Sequence, residues 1–376
     1  MEKARSLKEA GIDVIDFGPG EPDLPIPEAA GRAAEAAVRE GFTRYTPVAG
    51  IGPLREAIAR RLGQKSGVSL DASNIIVTCG AKQAIYNLCQ VLFQEGDGVL
   101  IPRPYWVTFP EAVRLSGAES RFVDTAMESG FIPSLDSLES AVNPGTRGMI
   151  LNYPNNPTGA VLEQAALDEI AGMARKRNLF VLSDETYDAF DFGRDAGSPS
   201  FLASCGSGVE GMAVAGSFSK TYSMTGWRIG YAAGSRELID RMSALQSHQT
   251  GNPSSLSQRA ALAVLNQPDE GLEKRIDEYR NRRDLIAGGL DSLPGIRCPE
   301  PGGAFYVFPD VRELITSSGC RDSLHLAEKL LDERQIAVVP GSAFGYEGHL
   351  RFSYAVSTES IEKGLECLER FCRDNV

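Results

Sequence analysis

In the stretch AVAGSFSKTYSMTGWRIGYAAG (213–234) a single lysine, Lys220, stands where an apolar run opens into a polar loop, and Arg228 follows one short loop later. An amine at the mouth of a buried strand is partly desolvated, which favours its neutral form and makes it a nucleophile toward a carbonyl. A lone lysine is more often a surface cation, so its company decides the matter. Asp184, Glu185 and Tyr187 follow the run LFVLS; Cys79, Gly80, Ala81 and Lys82 follow NIIVT; YPNNPTG, with Asn156, follows RGMILN. An aspartate can hold a pyridine nitrogen protonated and turn the ring into an electron sink, while an arginine and a helix start rich in small residues suit a phosphate. Amine, carboxylate and anion cradle together describe pyridoxal 5′-phosphate (PLP) catalysis.

These residues need a scaffold that brings strand ends together. Between about 75 and 235 the runs NIIVT, GVLIP, SRFVDT, RGMILN, LFVLSD, MAVAGS and RIGYAAG read as buried strands alternating with helices, which predicts a largely parallel sheet covered on its faces. Ligands bind beyond the carboxyl ends of such strands. KQAIYNLCQVLFQEG places Ile85, Leu88, Val91 and Leu92 at helical spacing with Gly96 as the stop, and ALDEIAGMARKRN does the same with Leu167, Ile170 and Ala174, ending at Asn178. From DEGLEKRIDEYRNRRDLIAGGLDSL onward one long charged helix leads into shorter mixed segments. A domain boundary is expected inside it, giving a large domain over 31–275 and a small α/β domain from both chain ends, 1–30 and 276–376. Pro-rich GPGEPDLPIP (18–27) marks the other joint.

Composition narrows the function classes. The 376 residues allow two domains, and 38 basic against 50 acidic residues give a net charge of -12 without a long basic cluster, which argues against nucleic acid. Apolar runs stay short of a membrane span and the charged start MEKARSLKEA lacks a signal-peptide core, so a cytoplasmic protein is expected. Seven scattered cysteines without a C-x-x-C pair read as free thiols in a reducing compartment, and three histidines without H-E-x-x-H argue against a metal centre.

The blocks GPGEPD, RYTPVAGIGPLREAIA, TCGAKQAIYNL, PYWVTFPE, NYPNNPTG, SDETYDAF, SFSKTYSMTGWRIGY, PGGAFYVFPD and LRFSYA, in this order, span essentially the whole chain. The sequence thereby resembles the class I aminotransferases of PLP fold type I, near the bacterial aspartate aminotransferases. The resemblance implies an α/β fold with a mostly parallel seven-stranded sheet in the large domain, and a homodimer with active sites at the interface. It implies transfer of an amino group between an L-amino acid, aspartate or glutamate, and a 2-oxo acid in two half-reactions.

Residue by residue, the resemblance makes Lys220 the lysine that binds the cofactor aldehyde and then shuttles a proton at the substrate Cα. Asp184 pairs with the pyridinium nitrogen, and Asn156 and Tyr187 donate to the ring's phenolic oxygen. Trp106 stacks on the ring. Ser217, Arg228 and the amides of Gly80, Ala81 and Lys82 hold the phosphate, with Tyr45 reaching it from the other subunit. Arg351 clamps the substrate α-carboxylate, a planar fork on a planar anion, alongside Gly20 and Asn156, and Lys82 stands where some members contact a distal carboxylate. One departure is expected to matter: family members carry an additional segment ahead of this start that helps close the site.

Other readings share some of these residues. GSGVEG (206–211) fits G-x-G-x-x-G, but that fingerprint must follow a strand and open a helix, whereas here it precedes MAVAGS. SFSK fits the S-x-x-K of serine acyl-enzymes with Ser217 as nucleophile, but S-D-N and K-T-G are missing. A PLP-binding regulator would need a DNA-binding domain for which the chain has no room. Aminotransferases for aromatic, alanine-like or methionine-like substrates, and C–S β-lyases, use the same Lys220, Asp184 and Arg351 and remain open.

Overall fold

The computed structural model describes residues 2–206, 208–267 and 271–375; Met1, Ser207 of GSGVEG, Pro268, Val376, and Asp269 and Glu270 of the stretch DEGLEKRIDEYRNRRDLIAGGLDSL lie outside them. Among the described residues twelve strands are formed: β1 (Ile15–Asp16), β2 (Ile75–Thr78), β3 (Gly98–Arg103), β4 (Glu119–Asp124), β5 (Thr146–Asn152), β6 (Phe180–Asp184), β7 (Met212–Ser217), β8 (Gly230–Gly234), β9 (Tyr306–Val307), β10 (Ile336–Ala337), β11 (Val339–Pro340) and β12 (Leu350–Ser353). Seven of them build one sheet in the order β2-β8-β7-β6-β5-β3-β4. All run parallel except β8, which is antiparallel to both neighbours.

The continuous apolar runs follow from burial of both faces. Side chains alternate across a strand, and here Ile75, Val77, Leu100, Leu151, Val181 and Val214 enter one apolar cluster while Ile76, Val99, Ile101, Ile150, Leu182 and Ala213 enter another on the opposite side. Helices cover the two faces, as a parallel sheet requires. SRFVDT departs from the expectation of a buried strand: β4 is the sheet edge, and along it only Val123 is buried, with Glu119, Phe122 and Asp124 exposed. Its charges keep an edge strand from pairing with other chains.

The helix after β2 runs Ala81–Leu92 and stops at Phe93, short of the Gly96 stop read from the sequence, whereas Gln164–Arg177 ends on Asn178 in the left-handed conformation that caps a helix C-terminus. The long charged helix spans Leu272–Asp291. A third cluster gathers Phe17 with Tyr279, Ile286, Leu314, Leu326, Phe352 and Phe371, and reaches across to Tyr187 and Phe190. Beside it lie an antiparallel sheet of order β11-β12-β9 and the parallel pair β1-β10, which ties the start of the chain to residues 336–337.

Candidate active site

Strand polarity assembles the site. Because β8 runs against its neighbours, its start lies where β2 and β7 end: Gly230 pairs with both Thr78 and Ser217. Arg228, just before β8, is thus delivered to Gly80, which opens the helix Ala81–Leu92. The approach is close enough that a Cβ at Gly80 would lie 2.7 Å from Arg228 Nη2, and Gly80 has φ +83. Only glycine fits there. No side chain caps this helix start, so its first amides face outward beside a guanidinium and the Ser217 side chain, an arrangement suited to a phosphate.

A cavity of about 460 Å³ opens over these strand ends and is lined by Lys220, Asp184, Tyr187, Asn156, Trp106 and Arg351, together with Gly20, Ala81, Lys82, Ser217 and Arg228 from the sequence-predicted set. Gly80 does not line the cavity itself but abuts Arg228, which does. Tyr45 does not reach it: this side chain is 98% exposed on the surface of its own chain.

Lys220 donates from Nζ to the carbonyl of Gly20. Burial lowers its pKa to about 8; Glu21 opposes the shift, and Arg228 and Arg351 add to it. The neutral amine that attack on an aldehyde needs is therefore about half the population near pH 8, far more than an ordinary lysine offers. Asp184 ends β6 and is pushed up to about 6 by burial, against hydrogen bonds from Thr186 and the charge of Lys220. A buried carboxylate without a bonded cation is a poor stability element and a ready partner for a protonated ring nitrogen.

Arg351, on β12, is buried and lies with Cζ 4.6 Å from the ring centre of Tyr306. It donates to Asn156 Oδ1 at 2.9 Å and to the Gly18 carbonyl at 2.6 Å, and its Nε has no partner. Among the described residues no carboxylate pairs with it, so a planar anion can. With Oδ1 of Asn156 engaged by Arg351, the Nδ2 end of that amide is the one left for a ligand oxygen. Lys82 Nζ sits 5.0 Å from the Trp106 ring centre, and Trp106 is held edge-on to Phe109.

Three contributors were not singled out from sequence. The Tyr306 hydroxyl is 2.7 Å from that of Tyr187, and a Cβ at Gly20 would fall 2.0 Å from Tyr306 Oη, which explains a glycine in that loop. Asn152 braces two site residues, donating to the Asp184 carbonyl at 3.1 Å and accepting from the Asn156 amide at 3.0 Å. Thr186 bonds Asp184 through both backbone and hydroxyl. Tyr306 and Asn152 lie inside PGGAFYVFPD and NYPNNPTG, so the motifs were visible although the contacts were not.

The residues present fit PLP: an amine of lowered pKa for the aldehyde, a buried carboxylate for the ring nitrogen, an indole at the wall, and a cradle at Gly80 that any side chain would fill. The rival arrangements find less. GSGVEG precedes β7 rather than opening a helix, and Ser217 Oγ accepts the Ser219 amide at 3.0 Å while Lys220 bonds Gly20.

Comparison with known proteins agrees. The model of the family described as aminotransferase class I and II matches residues 12–368. An aspartate aminotransferase of Geobacillus stearothermophilus is 39% identical, covering 98% of this chain and 94% of that protein. The aspartate/prephenate aminotransferase of Thermus thermophilus is also 39% identical, with 99% and 93% covered. Among solved structures, a Thermus thermophilus aspartate aminotransferase with maleate superposes with a TM-score of 0.92 at 39% identity, covering 98% of this chain and 94% of that one. One from Rhizobium meliloti gives 0.93 at 34%, covering 100% and 94%. The amine, carboxylate and guanidinium gathered over these strand ends thus belong to a PLP-dependent aminotransferase, a member of the aminotransferase class I and II family.

Proposed function

We propose that this aminotransferase takes its amino group from a dicarboxylic amino acid, aspartate or glutamate, and passes it to a 2-oxo acid. The observation that carries this is a pair of cations in one cavity, Arg351 and Lys82, neither with a carboxylate partner among the described residues. A substrate with two carboxylates offers one to each. The names of the relatives support it, and so does maleate, a dicarboxylate, with the Thermus thermophilus enzyme. Prephenate, which also carries two carboxylates, is a second reading supported by the name of the other Thermus thermophilus relative.

When bound, PLP supplies an aldehyde that takes up the amino group and a pyridinium ring that withdraws the electron pair left when Cα loses its proton. The chain's residues do the rest. Arg351 and Asn156 orient the α-carboxylate, Lys220 carries the proton away from Cα and returns one during the second half-reaction, and Asp184 keeps the ring nitrogen charged. Tyr187, backed by Tyr306, and the Asn156 amide would hold the phenolic oxygen; Trp106 would cover the ring; Ser217, Arg228 and the amides of Gly80, Ala81 and Lys82 would hold the phosphate.

Further parts of the proposal concern organisation. A division into 31–275 and 1–30 plus 276–376 is supported by Phe17 packing with residues 279–372. A homodimer in which Tyr45 serves the partner's site is supported by its full exposure and by exposed Val107 and Leu115. A cytoplasmic location is supported by seven free cysteines, and no described helix is long and apolar enough to cross a membrane.

The test is a donor panel against 2-oxoglutarate and oxaloacetate. Aspartate or glutamate should exceed alanine and phenylalanine by at least about tenfold in kcat/KM, because apolar donors leave Lys82 unpaired. Faster turnover of an apolar donor would overturn the dicarboxylate assignment.

A further inference from the structure

The DETYD segment places a hydroxyl where the reaction described so far does not use one. Thr186 is buried, lines the cavity, and donates from Oγ1 to Asp184 Oδ1 at 2.7 Å while its backbone N–H reaches the same oxygen at 3.1 Å. Both bonds land on Oδ1, so the carboxylate is clasped at one oxygen and cannot rotate without losing two hydrogen bonds. Behind it, Asn152 holds the Asp184 carbonyl. The carboxylate is thus held at Oδ1 and the backbone behind it at the carbonyl, with Oδ2 outside the clasp.

We infer that Thr186 is a positioning residue for the cofactor: its hydroxyl locks the Asp184 carboxylate so that Oδ2 is presented to the ring nitrogen of PLP. The inference rests on the assignment of Asp184 as the ring-nitrogen partner. It adds that this chain achieves the placement with a side-chain hydroxyl two residues downstream, and the chemistry is balanced because Thr186 transfers no proton. It donates throughout, and by donating to the charged form it also offsets part of the burial that raises Asp184.

Thr186→Val keeps shape and volume and removes only the hydroxyl; Thr186→Ser keeps the hydroxyl. Protein stripped of cofactor is titrated with PLP and followed by absorbance between pH 5 and 9, with thermal melting of each stripped variant alongside. Thr186→Val should bind PLP roughly tenfold more weakly at neutral pH, the size expected for one hydrogen bond to a charged group. The acid limb of its binding profile should move to higher pH, because the carboxylate is then easier to protonate. Thr186→Ser should recover affinity to within about threefold.

Equal affinity and an unmoved acid limb in Thr186→Val would overturn the role. So would a Thr186→Ser variant as weak as Thr186→Val, since that would point to packing of the methyl group. If Asp184→Asn binds PLP as the parent does, the assignment of Asp184 itself fails; if Asp184→Asn is weak and Thr186→Val is not, only the present inference does.

Discussion

Two aspartates four residues apart on one segment have opposite fates. Asp184 and Asp188 are both buried, yet burial pushes Asp184 up to about 6, while for Asp188 the same burial is overcome by Lys65 and Arg61 and the pKa falls to about 2. Lys65 Nζ is 2.9 Å and Arg61 Nη2 3.3 Å from Asp188 Oδ2; Asp184 has hydrogen bonds from Thr186 but, among the described residues, no bonded cation. One charge is completed by the fold; the other is left without a cation and is the one proposed to meet a ring nitrogen. An incomplete buried charge costs stability and marks function; a complete one secures the scaffold.

Removing the amine that faces Asp184 should have the largest effect. Lys220→Ala is expected to lower transamination by at least about 10³-fold with an unchanged circular dichroism spectrum, since it deletes both the attachment point and the proton carrier. Near-normal turnover would dismiss its role. Asp184→Asn should cost roughly 10²-fold in kcat because a neutral amide cannot keep the ring nitrogen charged, and it should leave the cofactor-free protein no less stable. Asp188→Asn should do the reverse: a loss of roughly 3 kcal/mol in unfolding free energy by denaturant titration, from stranding Lys65 and Arg61, with kcat changed by less than about fivefold. If these two variants swap phenotypes, the contrast is wrong.

The smallest effects sharpen it through pH. Asp188 is depressed below its ordinary 3.8, so its contribution to stability is present above about pH 4 and is lost as pH falls toward about 2. Asp184 is raised, so its contribution is full below 3.8 and is lost as pH rises through about 6. Melting of the cofactor-free variants should show Asp184→Asn gaining on the parent as pH rises from about 4 to about 6 and keeping that gain above it, and the deficit of Asp188→Asn closing below pH 4. A gap that stays constant with pH in either case would remove the titration from the explanation.

Much of this is legible in the sequence. Apolar runs marked the strands because both sheet faces are covered, and the residues just after them, Lys220, Asp184 and Asn156, line one cavity because strand ends converge in an open α/β sheet. Sequence could not tell that SRFVDT is an edge, since alternation and burial on one side look alike over six residues. Nor could it tell that Tyr306 and Asn152 would bond site residues, because those contacts depend on register between β5 and β6 and on the approach of β9, which local patterns do not encode.

The reversed direction of β8 has one more implication. Lys220 and Arg228 both ride the connection between β7 and β8, whose ends are pinned by the pairing of Ser217 with Gly230. Lengthening or shortening that hairpin would displace the proposed attachment point and the proposed phosphate anchor as a unit, whereas Trp106 and Lys82, proposed to face the substrate, belong to other segments of the chain.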